Sequence, residues 1–349
     1  MKALLIIELW GIGDATLMSS ALQGLLVDGW EITILAKPQT CALLKPSYPG
    51  VGTIEFDAPW TAFYGKYQLA RWPWLKIFKI LGQLRQKRFA AATSIRSDPR
   101  DHLLMWLAGA RRRVGFATPW SRWLLNAPIL GRDPAAHRVE DWWKLQDRLT
   151  TSSQTHFSPR LVADANLVKQ FHSRLGRDPR PVIALHCGAR IAVRRWPEAY
   201  YRQLIISLRR KFDFQLVLIP DPDGYGAALQ DLADHTFPRL SLPELLALLS
   251  CAAQVLCNDS GPCHMAAALD IPVIVFFGPT DPALFRPFGE HHLVVIRDIC
   301  PLRPCADYCR FPEPYCLTKL TPDITCPEVE NRLIALQRIP LKGSLKINF

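Results

Sequence analysis

Short apolar runs alternate with stretches of helical spacing along most of this 349-residue chain. Brief apolar runs are typical of strands buried on both faces of a parallel sheet, whereas apolar residues three and four positions apart indicate helices that cover such a sheet. In the first half, the pattern predicts strands at residues 3–8, 31–36 and 89–95 and helices at 15–27, 74–88, 100–110 and 139–149.

The second half repeats this alternation, and alternating strands and helices are typical of doubly wound parallel sheets. The sequence therefore predicts an α/β protein with two such domains. The predicted strands lie at 182–186, 215–219, 253–257 and 272–277, and the predicted helices at 198–211, 224–233, 242–250, 263–269 and 328–338.

Residues 151–180 contain Pro159, Asp178 and Pro179, with Pro181 directly after them, and we interpret this stretch as the interdomain connection. A chain of this length is about two domains long. We expect an N-terminal domain at 1–165, a second domain at 166–325, and a C-terminal helix and tail at 326–349.

A tight polar turn joins a short strand to a helix within Leu256–Leu269 (LCNDSGPCHMAAAL). Backbone N–H groups at the beginning of such a helix lack partners and lie at the positive end of its dipole, which favours phosphate. Asp259 is placed to accept hydrogen bonds from ribose hydroxyls, and Ser260 either binds phosphate or caps the helix. Taken alone, this segment is better explained as an ordinary helix N-cap.

A second strand, turn and helix lie at the beginning of the chain. The apolar run Lys2–Glu8 is followed by Gly11 and Gly13, which permit a sharp turn and close approach of another group to the backbone. Asp14 would then follow the carboxyl end of the first strand, where ligands bind in open α/β sheets. From this segment alone, a helix N-cap is an equally good interpretation of Asp14.

Taken together, these segments resemble the signature motifs of glycosyltransferase family 9, the ADP-heptose:lipopolysaccharide heptosyltransferases. Glu8–Asp14 is similar to the first motif of the family, and Asn258–Pro282 to its nucleotide-binding signature. Ala184–Ala189 with Arg194–Pro197 is similar to the first strand and loop of the family's second domain. The resemblance implies the GT-B fold, in which two Rossmann-like domains face a central cleft.

The resemblance also implies roles for individual residues. Asp14 matches the catalytic aspartate that takes the proton of the acceptor hydroxyl, and Glu8 is the second choice. Arg194 matches a basic position that holds the donor diphosphate, and the spacing does not rank it against Arg195. The remaining candidate sites are Ser260, Gly261, Cys263 and His264 for the diphosphate, Asp259, His186 and Gly188 for the nucleotide, and Gly13, Arg100 and Arg113 for the acceptor.

The implied activity is inverting, metal-independent transfer of a heptose from ADP-heptose to the inner core of lipopolysaccharide, with no cofactor. The loop Pro220–Gly224 lacks the paired glycines usual in the family, which leaves the donor sugar and base open. Two alternatives remain at this point. One is a family member with another nucleotide sugar or envelope glycan acceptor, and the other is a catalytically silent scaffold for envelope assembly.

The charge of the chain points to anionic partners. The net charge is +11, and residues 1–150 carry 20 Lys and Arg against 12 Asp and Glu. A basic first domain fits a phosphorylated glycolipid or a bilayer surface, or simply a solvated basic surface. No segment resembles a nucleic-acid-binding module. The sequence shows no export signal and no apolar run of about 20 residues, so we expect a cytoplasmic protein, with the inner face of the inner membrane as an alternative location.

Two further features leave alternatives open. Five of the ten cysteines cluster late in the chain, namely Cys300, Cys305, Cys309, Cys316 and Cys326. Their spacings are unlike those of paired C-x2-C zinc ligands, so we favour reduced structural thiols over a metal site.

The segment Trp60–Arg88 is rich in aromatic and basic residues. It fits a helix that packs on the sheet with its lysines extended into solvent, and it also fits a helix at a membrane interface.

Overall fold

The structure, a computed structural model, describes residues 2–62, 68–150, 155–305 and 307–341. The chain divides into two compact units, Met1–Leu161 and Val162–Phe349. Each unit contains one six-stranded sheet whose neighbouring strands are all parallel. The α/β fold class that the hydrophobic pattern predicts is therefore confirmed.

The first unit is built around strand β1, in which the side chains from Leu4 to Ile7 are all fully buried. Burial on both faces explains why this strand is a continuous apolar run. The strands of this unit are β1 (Lys2–Glu8), β2 (Trp30–Ala36), β3 (Gly52–Glu55), β4 (Ala91–Ser94), β5 (Arg112–Phe116) and β6 (Ala127–Ile129), and the α-helices are α1 (Ile12–Val27), α2 (Pro38–Leu44), α3 (Trp74–Gln86), α4 (Pro99–Leu107) and α5 (Arg138–Leu149).

The strand order of the first sheet is β3-β2-β1-β4-β5-β6. The chain moves outward in one direction from β1 and then in the other direction from β4, so the order reverses between these two strands. Ligands of open α/β sheets bind beyond the carboxyl ends of the strands at such a reversal. In this sheet the two ends are Glu8 on β1 and Ser94 on β4.

The second unit repeats this design around buried strands rich in Val, Leu and Ile. Its helix α8 begins with a reciprocal pair of hydrogen bonds between Ser241 and Glu244, an N-terminal capping box. The strands are β7 (Val182–His186), β8 (Gln215–Leu218), β9 (His235–Thr236), β10 (Gln254–Asn258), β11 (Val273–Phe276) and β12 (Leu293–Val295), and the α-helices are α6 (Ala165–Leu175), α7 (Glu198–Lys211), α8 (Leu242–Ser250), α9 (Gly261–Ala268), α10 (Pro282–Phe285), α11 (Tyr315–Thr318) and α12 (Pro322–Leu336).

The strand order of the second sheet is β12-β11-β10-β7-β8-β9. Read from its other edge, the order is β9-β8-β7-β10-β11-β12, which is equivalent to the order β3-β2-β1-β4-β5-β6 of the first sheet. The reversal therefore falls between β7 and β10. Their carboxyl ends are His186 and Asn258, which place the turn Asp259–Ser260 at the position expected for a ligand.

The interpretation of 151–180 as a plain interdomain connection is wrong in part, because helix α6 lies within it. Asp164 caps this helix by accepting hydrogen bonds from the N–H groups of Asn166 and Leu167. Phe171 and Leu175 are its buried residues. Two buried residues on a short helix between prolines give a weak periodic signal, which explains the error.

Several short elements at the sheet edges were also not predicted. Strands β3, β6, β9 and β12 have two to four residues each, and their side chains are mostly half-buried or exposed. Such strands lack the apolar run that marks a central strand. Residues 224–233, predicted as an α-helix, instead contain a 3-10 helix at Ala227–Leu232. Helix α2 and strand β5 were likewise not predicted.

One face of helix α3 packs on the first sheet, as one interpretation of its sequence expects, and other apolar side chains of the helix are exposed. Ile77, Ile80 and Leu84 are buried against the first sheet, whereas Leu75 and Phe78 are exposed. The three aromatic residues at positions 63, 64 and 67 lie outside the described residues. Among the helices that the structure describes, none is long and apolar enough to cross a bilayer.

Candidate active site

Asp14 lies in the first turn of α1, directly beyond the carboxyl end of β1. The residue at the N-cap position is Gly11, so the alternative interpretation of Asp14 as the helix N-cap is wrong. Its side chain is 14% exposed, and its Oδ2 accepts a hydrogen bond of 3.0 Å from Nη2 of Arg96. A carboxylate that is held in place and still reaches solvent can accept a proton from a bound hydroxyl.

Arg96 follows β4, so this ion pair joins the two strands between which the sheet order reverses. The guanidinium lies over the indole ring of Trp10, 4.6 Å from its centroid. The Trp10 Nε1–H donates to Oδ2 of Asp101 at 3.2 Å, and the same oxygen accepts from the Ser94 hydroxyl at 3.1 Å. Asp101 thus orients Trp10, Trp10 supports Arg96, and Arg96 holds Asp14.

Two further acids of this site are buried. Glu8 accepts the backbone N–H of Trp10 at 3.0 Å, and its other carboxyl oxygen has no hydrogen-bond partner among the described residues. Burial, together with the charge of Asp14, raises the pKa of Glu8 well above its usual range. Burial, with a smaller effect of Asp98, raises the pKa of Asp101 to about 7. Glu8 and Asp101 are buried, so Asp14 is the one member of this trio that a substrate can reach.

The three candidate acceptor-binding residues occupy different surroundings. Gly13 lies beside Asp14 in the first turn of α1, and Arg100 pairs with Asp98 through Nη2 and Oδ2 at 2.6 Å near the beginning of α4. Arg113 instead lies in β5 and donates to the carbonyls of Leu124 at 2.6 Å and Ala110 at 2.8 Å. Backbone groups thus engage Arg113 away from the carboxyl edge of the sheet, which favours a structural role.

The site in the second unit is organised by Asn258, the last residue of β10, which is fully buried. Its Oδ1 accepts the backbone N–H of Trp196 at 3.0 Å and the hydroxyl of Tyr201 at 2.9 Å. Its Nδ2 donates to the carbonyl of Cys187. One side chain therefore fixes the loop after β7 against the turn after β10.

Asp259 and Arg194 meet beside the beginning of α9. Asp259 is buried, and its Oδ2 accepts the Thr280 hydroxyl at 2.5 Å and Nη1 of Arg194 at 3.2 Å. Nη2 of Arg194 contacts Oδ1 of the half-exposed Asp307 at 2.7 Å. The Arg194 side chain as a whole is 24% exposed.

Arg195 has a different environment from its neighbour. Its Nε donates to the carbonyl of Ala189 at 2.8 Å, and its Nη2 pairs with Oδ2 of Asp223 at 2.6 Å. The guanidinium also lies over the ring of Tyr225, 4.9 Å from the centroid. These contacts fix the loops after β7 and β8, whereas Arg194 is the arginine beside α9.

Helix α9 begins at Gly261, and in the described part of the chain no side chain caps it. Ser260 occupies the N-cap position, but its hydroxyl donates to the carbonyl of Asn258 at 3.1 Å. Cys263 is fully buried, its N–H donates to the Ser260 carbonyl at 3.1 Å, and burial raises the pKa of its thiol well above the usual range. Its side chain therefore packs rather than binds. His264 is also buried, on the same helix.

His186 and Gly188 lie in the loop after β7. The Nδ1 of His186 is 3.0 Å from the carbonyl oxygen of Ile219, and because a carbonyl only accepts, Nδ1 carries the proton. Burial lowers the pKa of His186, which favours the neutral form of the ring. Gly188 is needed for space, because a Cβ there would lie 2.0 Å from Oδ2 of Asp221.

Several residues of both sites were not predicted from the sequence. Arg96 follows the third predicted strand just as Asp14 follows the first, and this position was the available signal. Thr280 lies within the motif Gly278–Pro282, which the resemblance covered without assigning this residue a role. Asp101 and Trp10 gave no such signal, because their contact spans 91 positions of the sequence.

The late cysteines are free thiols, and Cys300 and Cys316 are buried. Burial raises the pKa of Cys316 to about 11, which keeps its thiol protonated. Within the described parts of the chain, no group of three or more His, Cys, Asp or Glu side chains is placed to hold a metal ion.

Two units with this strand order, each with its site at the reversal, define the chain as a protein of the GT-B fold class. Solved structures agree. "E. coli ADP-heptose lps heptosyltransferase II" matches with a TM-score of 0.74 at 20% identity, over 97% of this chain and all of that chain. "E. coli heptosyltransferase WaaC with ADP-2-deoxy-2-fluoro heptose" matches with a TM-score of 0.69 at 20% identity, over 94% and 99% of the two chains.

The family model described as glycosyltransferase family 9 (heptosyltransferase) matches residues 77–313. The chain belongs to this family, as the sequence motifs indicated. Lipopolysaccharide heptosyltransferase 1 of Pseudomonas aeruginosa is 29% identical over 198 residues, which are 51% of this chain and 55% of that protein. The chain thus spans about half the length of the first curated relatives it matches.

Proposed function

We propose that the protein is an inverting glycosyltransferase that moves a heptose from ADP-heptose to the inner core of lipopolysaccharide. Family membership and the curated heptosyltransferase relatives support the reaction class. The observation that carries the proposal within the chain is the pair of sites at equivalent sheet positions. One presents a restrained carboxylate, and the other presents a helix beginning beside an arginine.

In this proposal, Asp14 accepts the proton of the acceptor hydroxyl as that oxygen attacks the anomeric carbon of the donor. Arg96 fixes the direction of the carboxylate, which keeps the base aligned with the attacking oxygen. Glu8 does not compete for this role, because it is buried and burial raises its pKa. Attack from the face opposite the leaving diphosphate inverts the anomeric centre.

Two groups of the second unit stabilise the negative charge of the leaving diphosphate. Arg194 supplies a positive charge, and the beginning of α9 supplies the positive end of a helix dipole. Asp259 and Thr280 act together to orient Arg194. Since these groups supply the charge that a divalent cation supplies in other transferases, we propose that the reaction is metal-independent.

One structural feature supports the alternative that the donor is not ADP-heptose. Asp221, in the loop after β8, packs directly against the Cα of Gly188 and lies 3.8 Å from Arg195. A carboxylate at this place, where the family usually has glycines, changes the surface offered to a nucleotide. The alternative is therefore a family 9 transferase with another nucleotide sugar or another envelope glycan acceptor.

A donor panel tests the proposal. The purified full chain is incubated with ADP-heptose, UDP-glucose and GDP-mannose, with and without a heptose-free lipopolysaccharide acceptor, and nucleotide release is measured. We expect acceptor-dependent release of ADP and a product of inverted configuration by NMR. Higher turnover with UDP- or GDP-sugars would support the alternative donor. Absence of nucleotide binding by calorimetry would support a silent scaffold and contradict a transferase.

A further inference from the structure

A row of aromatic residues connects the core of the first unit to its surface. Ring centroids are 5.5 Å apart for Phe56 and Trp60, 5.4 Å for Trp60 and Trp72, and 5.4 Å for Trp72 and Trp74. Phe78 continues the row at 6.2 Å from Trp74. Phe56 and Trp60 are buried, whereas Trp74 and Phe78 are exposed, so the outer aromatic residues are anchored through the inner ones.

The outer end of this row belongs to an apolar patch that faces solvent. Leu75 is 89% exposed, Phe78 is 63% exposed, and Leu69 and Trp74 are exposed beside them. The face of α3 that packs on the sheet is a different one, formed by Ile77, Ile80 and Leu84. We call the exposed set Leu69, Trp74, Leu75 and Phe78 the α3 patch.

Basic side chains outnumber acidic ones in the segment that carries the α3 patch. Residues 55–132 contain 14 Lys and Arg against four acids, of which Glu55 and Asp57 are exposed. Asp98 pairs with Arg100, and Asp101 is buried. Arg71, Lys76 and Lys79 are exposed around the α3 patch, and within the described residues none of the three forms an ion pair with a carboxylate.

The position of the α3 patch connects it to the candidate active site. The chain leaves β3 at the carboxyl edge of the first sheet and reaches Trp74 before α3 runs back toward the beginning of β4. The first turn of α3 therefore lies toward the edge from which Asp14 projects. An acceptor anchored in a membrane has to be presented at this edge.

We infer that the α3 patch docks on an anionic phospholipid bilayer, with Leu75 and Phe78 in the interfacial region and Arg71, Lys76 and Lys79 at the headgroups. A helix with exposed Leu, Phe and Trp side chains beside basic residues has the composition of interfacial helices. A nucleic acid would satisfy the basic residues but leave Leu75 and Phe78 without an apolar environment. The inference deepens the proposed function, since it rests on a lipid-anchored acceptor.

Vesicle cosedimentation of the full chain tests this inference. Vesicles of pure phosphatidylcholine are compared with vesicles that also contain phosphatidylglycerol as about one-third of the lipid, which gives them an anionic surface. We expect binding to the anionic vesicles that weakens at least about tenfold in the double variant Leu75→Ser with Phe78→Ser. High salt and the double variant Lys76→Gln with Lys79→Gln should each weaken it as well.

Ile334→Ser is the matched control, because Ile334 is an exposed apolar residue on a helix of the second unit. This variant should bind vesicles like the parent chain. Equal binding to neutral and anionic vesicles, or unchanged binding of the Leu75 and Phe78 variant, would overturn the inference. A monomer–dimer equilibrium that this variant abolishes, without vesicle binding, would overturn it in favour of a second copy of the chain.

The failure of this inference can be told apart from failure of the proposed function. Transfer to a short, lipid-free core oligosaccharide does not require a membrane, so the Leu75 and Phe78 variant should retain the kcat of the parent chain on that acceptor. Vesicle binding without any transfer would contradict the proposed function alone. Transfer without vesicle binding would contradict the docking surface alone.

Discussion

Nη2 of Arg96 lies 3.0 Å from Oδ2 of Asp14, and this ion pair joins the loops that follow β4 and β1. The same guanidinium rests on Trp10, which Asp101 holds from the buried side. The carboxylate that we propose as the base is thus positioned by a chain of contacts across the reversal of the first sheet. Substitution of a supporting residue therefore tests whether it positions Asp14.

The first prediction concerns Arg96→Gln. Without the guanidinium, the Asp14 carboxylate loses the partner that fixes its direction, and misplacement of a catalytic group costs on the order of 10²-fold in rate. We expect kcat to fall by roughly that factor while the KM for the donor stays within about twofold. Steady-state kinetics measures both, and Arg148→Gln, at an exposed arginine, serves as the control. A large rise in donor KM with kcat unchanged would contradict the assignment.

A second prediction concerns the pH dependence of stability through Asp101. Its pKa is raised to about 7 in the folded protein, so the folded protein binds this proton more tightly than the unfolded chain does. The contribution of Asp101 to the free energy of unfolding is therefore complete below about pH 4 and is lost as the pH rises through 7. Asp101→Asn removes this titration. Relative to the parent chain, the variant should gain on the order of 2 kcal/mol in unfolding free energy between pH 5 and pH 8.

Urea unfolding at the two pH values measures this difference. Asp147→Asn is a suitable control, because Asp147 pairs with His156 at a partly exposed position of the same unit. Identical pH dependence in the parent chain and the Asp101 variant would show that Asp101 does not titrate in this range.

Asn258→Ala is the third prediction, and it tests how the donor site is held together. The substitution leaves the Trp196 N–H, the Tyr201 hydroxyl and the Cys187 carbonyl without their partner in a buried setting. Unsatisfied buried groups cost about 1–3 kcal/mol each, so we expect a loss of roughly 3–5 kcal/mol in unfolding free energy. Tyr201→Phe removes one of the three bonds and should cost only about 1 kcal/mol. Similar losses in both variants would contradict the central role of Asn258.

Gly188→Ala is the fourth prediction. The new Cβ would lie 2.0 Å from Oδ2 and 2.6 Å from Cβ of Asp221, so the loop after β8 has to move. Overpacking of this kind costs about 1–3 kcal/mol, and the donor KM should rise with it. The double variant with Asp221→Gly, which removes the Asp221 Cβ as well as its carboxylate, should recover most of the stability. Gly50→Ala, where an added Cβ meets nothing within 4 Å, is the control. A failure of the double variant to recover would show that Asp221 is not the obstacle.

The central strands could be predicted from the sequence because burial on both faces leaves an unbroken apolar run, as in β1, β7 and β11. The edge strands β6 and β12 could not, because three residues with partly exposed side chains carry no such pattern. Helix α6 was hidden for a similar reason, since only two of its residues are buried.

The residues of the candidate sites likewise differ in whether the sequence alone could predict them. Asp259 follows β10 directly and Asp14 lies in the first turn of the helix after β1, so local sequence together with the family motif was sufficient to propose them. Arg96 reaches Asp14 only because β4 pairs with β1 in the register that aligns Leu4 with Ala91. A contact set by strand register, between residues 82 positions apart, has no local signature in a single sequence.

The most direct test of the account is the variant Asp14→Asn, assayed for heptose transfer and for nucleotide binding. Its amide keeps the size of the carboxylate but cannot accept the acceptor proton at neutral pH. We predict that transfer from ADP-heptose falls by at least about 10³-fold, whereas the Kd for ADP by calorimetry stays within about twofold. Transfer at the rate of the parent chain would contradict the account, because Asp14 could not then be the base.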